Sequence, residues 1–305
     1  MLHVSSLTEL PAPQPTYMAV GVFDGVHGGH AQLLGRMVAA ARADGVRTAV
    51  LTFFPHPQAV IQKLSGRLYL STLEERAALL AALGIDIVIT HSFDEAMRQT
   101  RAADFVAMLQ NHVGMVGLWS GDFGLGYRRE GTAAYLRQLG GFAVHELHDV
   151  LLVGDERVSS TRIRQLLAEG DVTAVAPLLG RPYGVEGVVV EGDKRGRTIN
   201  FPTANLDVWA QQILPANGVY ATIAHVGEAR YLAATNIGVR PTVDGLHHRV
   251  EAHLLDFEGD LYGRSLHLEF IQRVRSEQKF SGLAELQAQI TADVAQVRGI
   301  GKEER

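Results

Sequence analysis

The sequence predicts a two-domain protein in which an α/β domain with a parallel sheet precedes a small β-barrel that ends in a helix. In the first half, short apolar runs alternate with segments of helical periodicity, which is the pattern of βαβ units. In the second half, short strand-like segments follow one another between Gly, Pro and Asp turns. The pattern changes near Leu178, so we expect domains of residues 1–178 and 179–305.

In the first domain, apolar runs of β-forming residues predict the strands. Strands are expected at residues 16–22, 46–53, 85–90, 115–121 and 142–150. The first helix follows from the one-sided spacing of Leu33, Leu34, Met37, Val38 and Ala41. Gly45 should end that helix. A second helix opens with Ser71 and Glu74 in capping-box spacing and ends at Gly84.

The second domain shows the period of two that marks half-buried strands. Strands are expected at residues 185–192, 219–226, 230–238, 249–257 and 265–274. Val250, Ala252 and Leu254 alternate with polar residues, so Glu251 belongs to the polar face of its strand. The final helix, from about residue 281 to 298, carries an apolar stripe. That stripe consists of Leu283, Leu286, Ile290, Val294 and Val297.

The composition excludes several classes of protein. The 305 residues are 47% hydrophobic, enough for sizeable cores, and the net charge of −5 argues against a general nucleic-acid binder. Cysteine is absent, which excludes disulfides, cysteine zinc sites and a cysteine nucleophile. No apolar run could span a bilayer and no secretory signal is visible, so we expect no membrane partner and a cytoplasmic protein.

The stretch "GVFDGVHGGH" lies where the first strand meets the first helix. Ligands of doubly wound sheets bind at the carboxyl ends of strands, and a helix N-terminus favours phosphate. We therefore assign ATP phosphate binding to Gly21, Phe23, Asp24, Gly25 and Gly29. His27 and His30 would donate hydrogen bonds to phosphate oxygens during nucleotidyl transfer. The alternatives are a zinc pair completed by His56, or one buried and one capping histidine.

A second phosphate motif is "ERVSSTRIRQLL". Hydroxyl groups at a helix start, with arginines beside them, suit a polyphosphate. The residues concerned are Arg157, Ser159, Ser160, Thr161 and Arg162. An ordinary N-cap with solvated arginines is the alternative.

The loop "GDKRGRTINFPTANL" in the second domain combines glycines, basic residues and neutral oxygen donors. Gly192, Gly196 and Arg197 could surround nucleotide phosphates, and Thr203 and Asn205 suit Mg²⁺. Glu251 could act as a general base toward a hydroxyl. The alternatives are a basic turn before a strand and a solvated glutamate.

These motifs together resemble a known enzyme family. "GVFDGVHGGH", "TFFPHP", "GDFGLGYRREG" and "SSTRIR" resemble the FMN adenylyltransferase module of prokaryotic bifunctional FAD synthetase, a branch of the HxGH nucleotidylyltransferase superfamily. "GRTINFPTANL", "LPANGVYA", "TNIGVRPT" and "VEAHLLDFEGDLYG" resemble riboflavin kinase, in the same order. The resemblance covers nearly the whole chain.

The resemblance implies a Rossmann-like first domain, a six-stranded riboflavin kinase barrel and two reactions. Riboflavin and ATP would give FMN, and FMN and ATP would give FAD and pyrophosphate, with Mg²⁺ as cofactor. Thr203 and Asn205 match the family's Mg²⁺ and ATP ligands, and Glu251 matches the base that takes the proton of the ribityl 5′-hydroxyl. The resemblance also gives catalytic roles to His27 and His30. Flavin binding is carried over to His56, Asp122, Phe123 and Arg240.

Two positions depart from the family pattern, and some questions stay open. Asn200 replaces a usual glycine, from which we expect slowed kinase activity, and Leu125 replaces a usual phenylalanine, which bears on FMN affinity. Two other hypotheses are a different nucleotidylyltransferase fused to an unrelated barrel and a non-catalytic flavin-binding paralogue. Self-association is left open by the sequence.

Overall fold

A computed structural model describes residues 1–147, 151–192, 201–242 and 245–303. It divides into two compact units. The first consists of Met1–Leu68 and Thr72–Ser159, and the second of Tyr69–Ser71 and Ser160–Arg305. The division after Ser159 groups two helices with the barrel, and the functional boundary at residue 178 stays a prediction. Within the described residues, no helix combines the length and apolar character that crossing a membrane requires.

The first unit is built on a six-stranded sheet with the order β1-β4-β3-β2-β5-β6. Its strands are β1 (Leu2–Val4), β2 (Thr16–Val20), β3 (Arg47–Phe54), β4 (Ile87–Ser92), β5 (Met115–Ser120) and β6 (Ala143–Glu146). Every neighbouring pair is parallel, which confirms the predicted parallel sheet. Strand β1, a three-residue edge strand that pairs with β4, was not predicted from the sequence. A strand this short carries too little alternation to be recognised.

Helices connect these strands and cover both faces of the sheet. They are α1 (Gly28–Asp44), α2 (Pro57–Gln62), α3 (Leu73–Ala82), α4 (Glu95–Gln99), α5 (Ala102–Val113) and α6 (Ala133–Leu139). Single 3₁₀ turns span Leu7–Glu9 and Tyr127–Arg129, and β7 (Leu152–Val153) pairs with β8 (Glu156–Arg157). One core lies between the sheet and α5, and a second lies between the sheet and helices α1 and α3.

The predicted ends of two helices can be compared with the structure. The five residues expected on one face of α1 are its buried residues, and Gly45 ends the helix in the left-handed conformation. The cap of α3 was predicted one residue too early. Thr72, not Ser71, accepts a hydrogen bond from the backbone N–H of Glu75. Ser71 lies one residue before the cap and is fully buried in the second unit.

The second unit is a closed antiparallel barrel with the order β10-β13-β12-β11-β14-β9. Two helices, α7 (Ser160–Glu169) and α8 (Val172–Leu179), precede it. Its strands are β9 (Tyr183–Val190), β10 (Ala204–Val208), β11 (Gly218–Val226), β12 (Ala229–Thr242), β13 (Gly245–Leu254) and β14 (Ser265–Ser276), and α9 (Leu283–Glu303) follows. Periodicity alone predicted five of these strands. The sixth, β10, begins inside the segment that was interpreted as a loop.

The alternation predicted along the last two strands is confirmed. Val250, Ala252 and Leu254 in β13, and Leu266, Leu268 and Phe270 in β14, are buried and face the barrel interior. The stripe of α9 behaves differently along its length. Val294 and Val297 pack against the barrel. Leu283, Leu286 and Ile290 line a cavity instead, and Leu283 is 65% exposed.

Three residues from the first half of the chain belong to the second unit, which no sequence pattern predicts. The backbone N–H of Tyr69 donates to Gln211 O at 3.0 Å, and the N–H of Ile213 donates to Tyr69 O at 2.8 Å. The Tyr69 ring lies 5.0 Å from the ring of Trp209. Because Tyr69 is 1% exposed, these contacts make it part of the core of that unit.

Candidate functional site

The two histidines of the first unit form a stacked pair at the start of α1. His27 is the N-cap, and its Nδ1 accepts a hydrogen bond from the His30 backbone N–H at 3.3 Å. The ring centroids lie 3.6 Å apart with an interplanar angle of 15°. Since Nδ1 of His27 is an acceptor, the neutral ring carries its proton on Nε2, which is therefore a donor.

The close approach of the rings explains a glycine of the motif. A Cβ on Gly29 would lie 3.3 Å from ring atoms of His27 and 3.9 Å from the carbonyl oxygen of Val158. The absence of a side chain therefore lets the His27 ring pack against the helix start. It also brings the chain just before Ser159 beside the histidine motif within the first unit.

Burial controls the charge of His30. Burial, followed by the nearby charges of His27 and Arg76, holds the pKa of His30 well below its ordinary value. His30 is therefore neutral near pH 7. Its Nδ1 is buried and has no hydrogen-bond partner among the described residues. An unpaired buried polar atom costs about 1–3 kcal/mol, and a ligand that reached this nitrogen would remove that cost.

The loop before α1 is held by a buried ion pair that the sequence analysis did not find. Arg76 Nη2 lies 3.2 Å from Asp24 Oδ1, and the two side chains are 1% and 2% exposed. Arg76 Nη1 donates to Thr52 Oγ1 at 3.3 Å, and that hydroxyl donates to Val22 O at 2.7 Å. The anchor fixes a strained segment, since Phe23 and Val26 are not glycines and yet have positive φ. The predicted phosphate role of Asp24 stays a prediction.

A cavity of about 670 Å³ opens at the carboxyl ends of β2, β3 and β5. Its lining includes Val20, Gly21 and Val22, which lead into the histidine loop, and aromatic residues such as Phe53 and Phe93. This volume lies within the usual range of ligand pockets, and an apolar slot suits a planar aromatic ring.

The structure brings three of the predicted flavin residues together in this cavity: His56, Asp122 and Phe123. His56 Nδ1 accepts from the Gln58 backbone N–H at 3.1 Å and caps α2. Asp122 accepts from Arg129 at 2.8 Å. Leu125, which departs from the family pattern, also lines the cavity. The fourth, Arg240, lies in β12 of the second unit, and its side chain is outside the described residues.

The second phosphate motif spans the division between the units. Arg157 and Ser159 belong to the first unit, and Ser160, Thr161 and Arg162 begin α7 in the second. Their approach to ATP stays a prediction.

The second unit has a cavity of about 390 Å³ between the outer barrel face and α9. Thr203, Asn205 and Glu251, predicted from separate motifs, all line it. Asn205 in β10 is the direct cross-strand partner of Glu251 in β13. Such partners have Cβ atoms about 4.5–5.5 Å apart on the same face of the sheet. The barrel therefore places the proposed metal ligand beside the proposed base.

Gly192 allows Asn205 its position. A Cβ on Gly192 would lie 2.3 Å from Asn205 Nδ2, a distance that no side chain could tolerate without moving the amide. The other predicted members of this loop, Gly196, Arg197 and the departing residue Asn200, lie outside the described residues.

Glu251 has a charged neighbour that the sequence analysis did not assign. Arg249 Nη1 lies 3.3 Å from Glu251 Oε1, and both residues line the cavity. Arg249 precedes Glu251 by two residues, so period-two alternation places both on one face. The spacing alone could have indicated this pair.

The opposite wall of the cavity is apolar. It is lined by Phe280, which precedes α9, and by Leu283, Leu286 and Ile290 of the helix itself. This half of the stripe therefore faces the cavity and is not packed against the barrel. A smaller cavity, of about 90 Å³, is lined by Thr203, Phe257 and Tyr262 among others. Thr203 thus lines both cavities.

Comparisons with known proteins match a different enzyme family to each half of the chain. A family described as FAD synthetase matches residues 10–162, and a family described as riboflavin kinase matches residues 179–300. The bifunctional riboflavin kinase/FMN adenylyltransferase of Escherichia coli (strain K12) is 37% identical over 289 residues, 92% of each chain. The protein of the same name from Bacillus subtilis (strain 168) is 36% identical, over 90% of this chain and 89% of the relative.

The fold has a close counterpart among solved structures. A crystal structure of a macrolide-efflux protein from Streptococcus pneumoniae matches with a TM-score of 0.89 at 29% identity, over 97% of this chain and 98% of that one. The name of that protein refers to efflux, whereas both matching families and both curated relatives describe flavin enzymes. On this evidence the chain belongs to the family of bifunctional riboflavin kinase/FMN adenylyltransferases, which convert riboflavin to FMN and FMN to FAD.

Proposed function

We propose that FMN adenylylation takes place in the first unit, with ATP phosphates on the loop of residues 21–30 and the flavin ring in the 670 Å³ cavity. One observation carries this assignment: Gly21 and Val22 both line the cavity and lead into the histidine loop. A flavin ring in the cavity could therefore present its phosphate to an ATP bound beside it.

The reaction needs charge stabilisation more than proton transfer. An oxygen of the FMN phosphate attacks the α-phosphorus of ATP, the bond to the β-phosphate oxygen breaks, and pyrophosphate leaves. His27 Nε2–H can donate to an α-phosphate oxygen as charge develops there. His30 is neutral and offers a second polar ring against the same loop. Arg157 and Ser159, which belong to the same unit, would bind the departing pyrophosphate.

Riboflavin phosphorylation is assigned to the second unit. The flavin ring would lie against the apolar wall of α9, with its ribityl chain along the polar floor of the cavity. Thr203 separates this cavity from the smaller one, so ATP bound on the Thr203 side would meet the chain end near Glu251. Glu251 takes the proton of the 5′-hydroxyl, the oxygen attacks the γ-phosphorus, and ADP leaves.

The donor set of this site fits Mg²⁺. Thr203 and Asn205 offer neutral oxygens, and Mg²⁺ usually binds through one or two side chains together with nucleotide phosphates. When bound, Mg²⁺ neutralises charge on the ATP phosphates. Gly192, Gly196 and Arg197 would surround the phosphates, and Arg240 would contact flavin. A cytoplasmic location, where ATP is abundant, is part of the same proposal.

A crossed pair of variants tests the assignment of each reaction to its unit. His30→Ala should abolish FAD formation from FMN and leave riboflavin phosphorylation largely unchanged. Glu251→Gln should lower FMN formation by about 10²–10⁴-fold, the usual contribution of a general base, and leave adenylylation of supplied FMN unchanged. FMN and FAD would be separated by chromatography after incubation with ATP and Mg²⁺.

The two variants act as controls for each other because each should keep the activity that the other loses. Loss of both activities in a folded His30→Ala protein would contradict the two-site assignment. Phosphorylation at the wild-type rate in Glu251→Gln would remove Glu251 from the mechanism.

A further inference from the structure

The floor of the riboflavin kinase cavity contains a polar residue that has no role in the phosphorylation reaction proposed for this site. Asn236 in β12 is the direct cross-strand partner of Glu251, which is in turn the partner of Asn205 in β10. The three residues form one lateral row across neighbouring strands, and all three line the 390 Å³ cavity. We infer that Asn236 binds a secondary hydroxyl of the ribityl chain and so helps to select a polyol substrate.

The register decides that Asn236 faces the cavity. Its neighbours along the chain, Thr235 and Ile237, are fully buried in the barrel. Alternation along a strand therefore directs Asn236 to the outer face, which Glu251 shares. Paired residues on one face have Cβ atoms about 4.5–5.5 Å apart. A ribityl chain whose 5′-hydroxyl lies at Glu251 would therefore place a secondary hydroxyl beside Asn236.

The amide of Asn236 is available for a ligand. Glu251 is paired with Arg249, and Arg275 in the same row makes contacts of 2.8–3.1 Å with Asp293. In the described part of the chain, no hydrogen-bond partner occupies the Asn236 amide. The next residue of the row, Val219, is apolar, and Arg275 lies beyond it. Asn236 thus lies between the proposed base and an apolar residue of the row.

A primary amide matches a secondary hydroxyl in chemistry. It offers an acceptor oxygen and two N–H donors, whereas a hydroxyl has one donor and two lone pairs. A hydroxyl that loses its partner in a closed site keeps an unsatisfied polar group, and a site built around that hydrogen bond rejects analogues without it. The inference rests on the proposed kinase site and adds a specificity determinant to it.

The test combines one substitution in the enzyme with the removal of single hydroxyl groups from the substrate. The full-length wild type and Asn236→Ala would be assayed for phosphorylation of riboflavin and of 2′-, 3′- and 4′-deoxyriboflavin. We expect Asn236→Ala to lower kcat/KM for riboflavin by about 5–150-fold. At least one deoxy analogue should be phosphorylated almost equally well by the two enzymes. That analogue lacks the hydroxyl that Asn236 binds, so removing the Asn236 amide costs no further hydrogen bond. The loss should appear mainly in KM.

Three controls keep the outcomes distinct. Asn217→Ala removes an asparagine whose amide donates to Glu277 at 3.1 Å and does not line the cavity, and it should retain the wild-type preference for riboflavin. Asn236→Ser, which keeps a small polar group, should recover part of the activity. Calorimetric unfolding of the Asn236 variants, compared with that of the wild type, reports whether the second unit is folded.

Equal losses with all four substrates, or a loss confined to kcat, would overturn the inference, since Asn236 would then act on Glu251 alone. A wild-type enzyme that phosphorylates none of them would instead contradict the proposed function. If Asn236→Ala lowers kcat/KM for riboflavin but not for one deoxy analogue, the inference is supported. The hydroxyl missing from that analogue is then the one that Asn236 binds.

Discussion

The buried pair of Arg76 and Asp24 offers a sharp test of how the phosphate loop is held. Arg76→Met keeps the length and apolar stem of the side chain but removes the guanidinium. The Asp24 carboxylate, 2% exposed, would then lose the cation that lies 3.2 Å away. Thr52 Oγ1, which links Arg76 to the carbonyl of Val22, would lose a donor as well.

The expected magnitude follows from that burial. Breaking a buried ion pair by removing one partner costs about 3–5 kcal/mol, because the other charge stays buried after it has lost its counter-charge. For a unit of this size, each kcal/mol lowers Tm by about 2–4 °C, so the first unit should melt about 6–20 °C lower. FMN adenylylation should fall with the loss of loop geometry, while riboflavin phosphorylation should persist below the lowered transition.

Thermal unfolding measured by calorimetry, with both activities assayed alongside, checks this. Arg137→Met is the matched control, because Arg137 forms an exposed pair with Glu146 on the same unit and such pairs contribute about 0–1 kcal/mol. The double variant Asp24→Asn with Arg76→Met removes both charges and should recover most of the stability. An Arg76→Met protein that melts like Arg137→Met would refute the reasoning.

Three further predictions follow from single features of the sites. The pKa of His30 is held well below its ordinary value. As pH drops below about 6.5, the unfolded chain therefore binds a proton that the folded unit does not. The free energy of unfolding should then fall by up to about 1.4 kcal/mol per pH unit. Urea unfolding at pH 7.5, 6.5 and 5.5 should show this slope in the wild type and a smaller one in His30→Gln; an identical slope would contradict it. Gly192→Ala should displace Asn205 and lower riboflavin phosphorylation on the order of 10²-fold without affecting adenylylation, whereas Gly299→Ala, whose Cβ would meet nothing within 4 Å, should leave both rates intact. The purified protein should carry little metal, and Mg²⁺ affinity at Thr203 and Asn205 should rise when ATP is present. Elemental analysis, together with adenylylation assays under a zinc-selective chelator in excess Mg²⁺, checks this. Stoichiometric zinc whose removal abolishes adenylylation would instead support a zinc site at His27 and His30.

Local patterns were sufficient for much of the fold. The one-sided spacing in α1 and the alternation along β13 and β14 reflect periods of 3.6 and 2, which any short window of sequence contains. Edge strand β1 and strand β10 escaped because each is short and the second begins in a loop motif. The α3 cap was misplaced by one residue because Ser71 and Thr72 are both good caps, and only the position of the first helical turn distinguishes them.

The sequence by itself determined the two kinds of domain, the family and the motifs that carry its candidate catalytic residues. The tertiary structure decided which side chains meet. Arg76 reaches Asp24 across 52 residues, and Asn236 joins Glu251 and Asn205 only through the register of three barrel strands. A slip of one residue in that register would turn each of these side chains to the opposite face. Pairing of this kind is set by the packing of the whole barrel and leaves no signal in any local stretch of the chain.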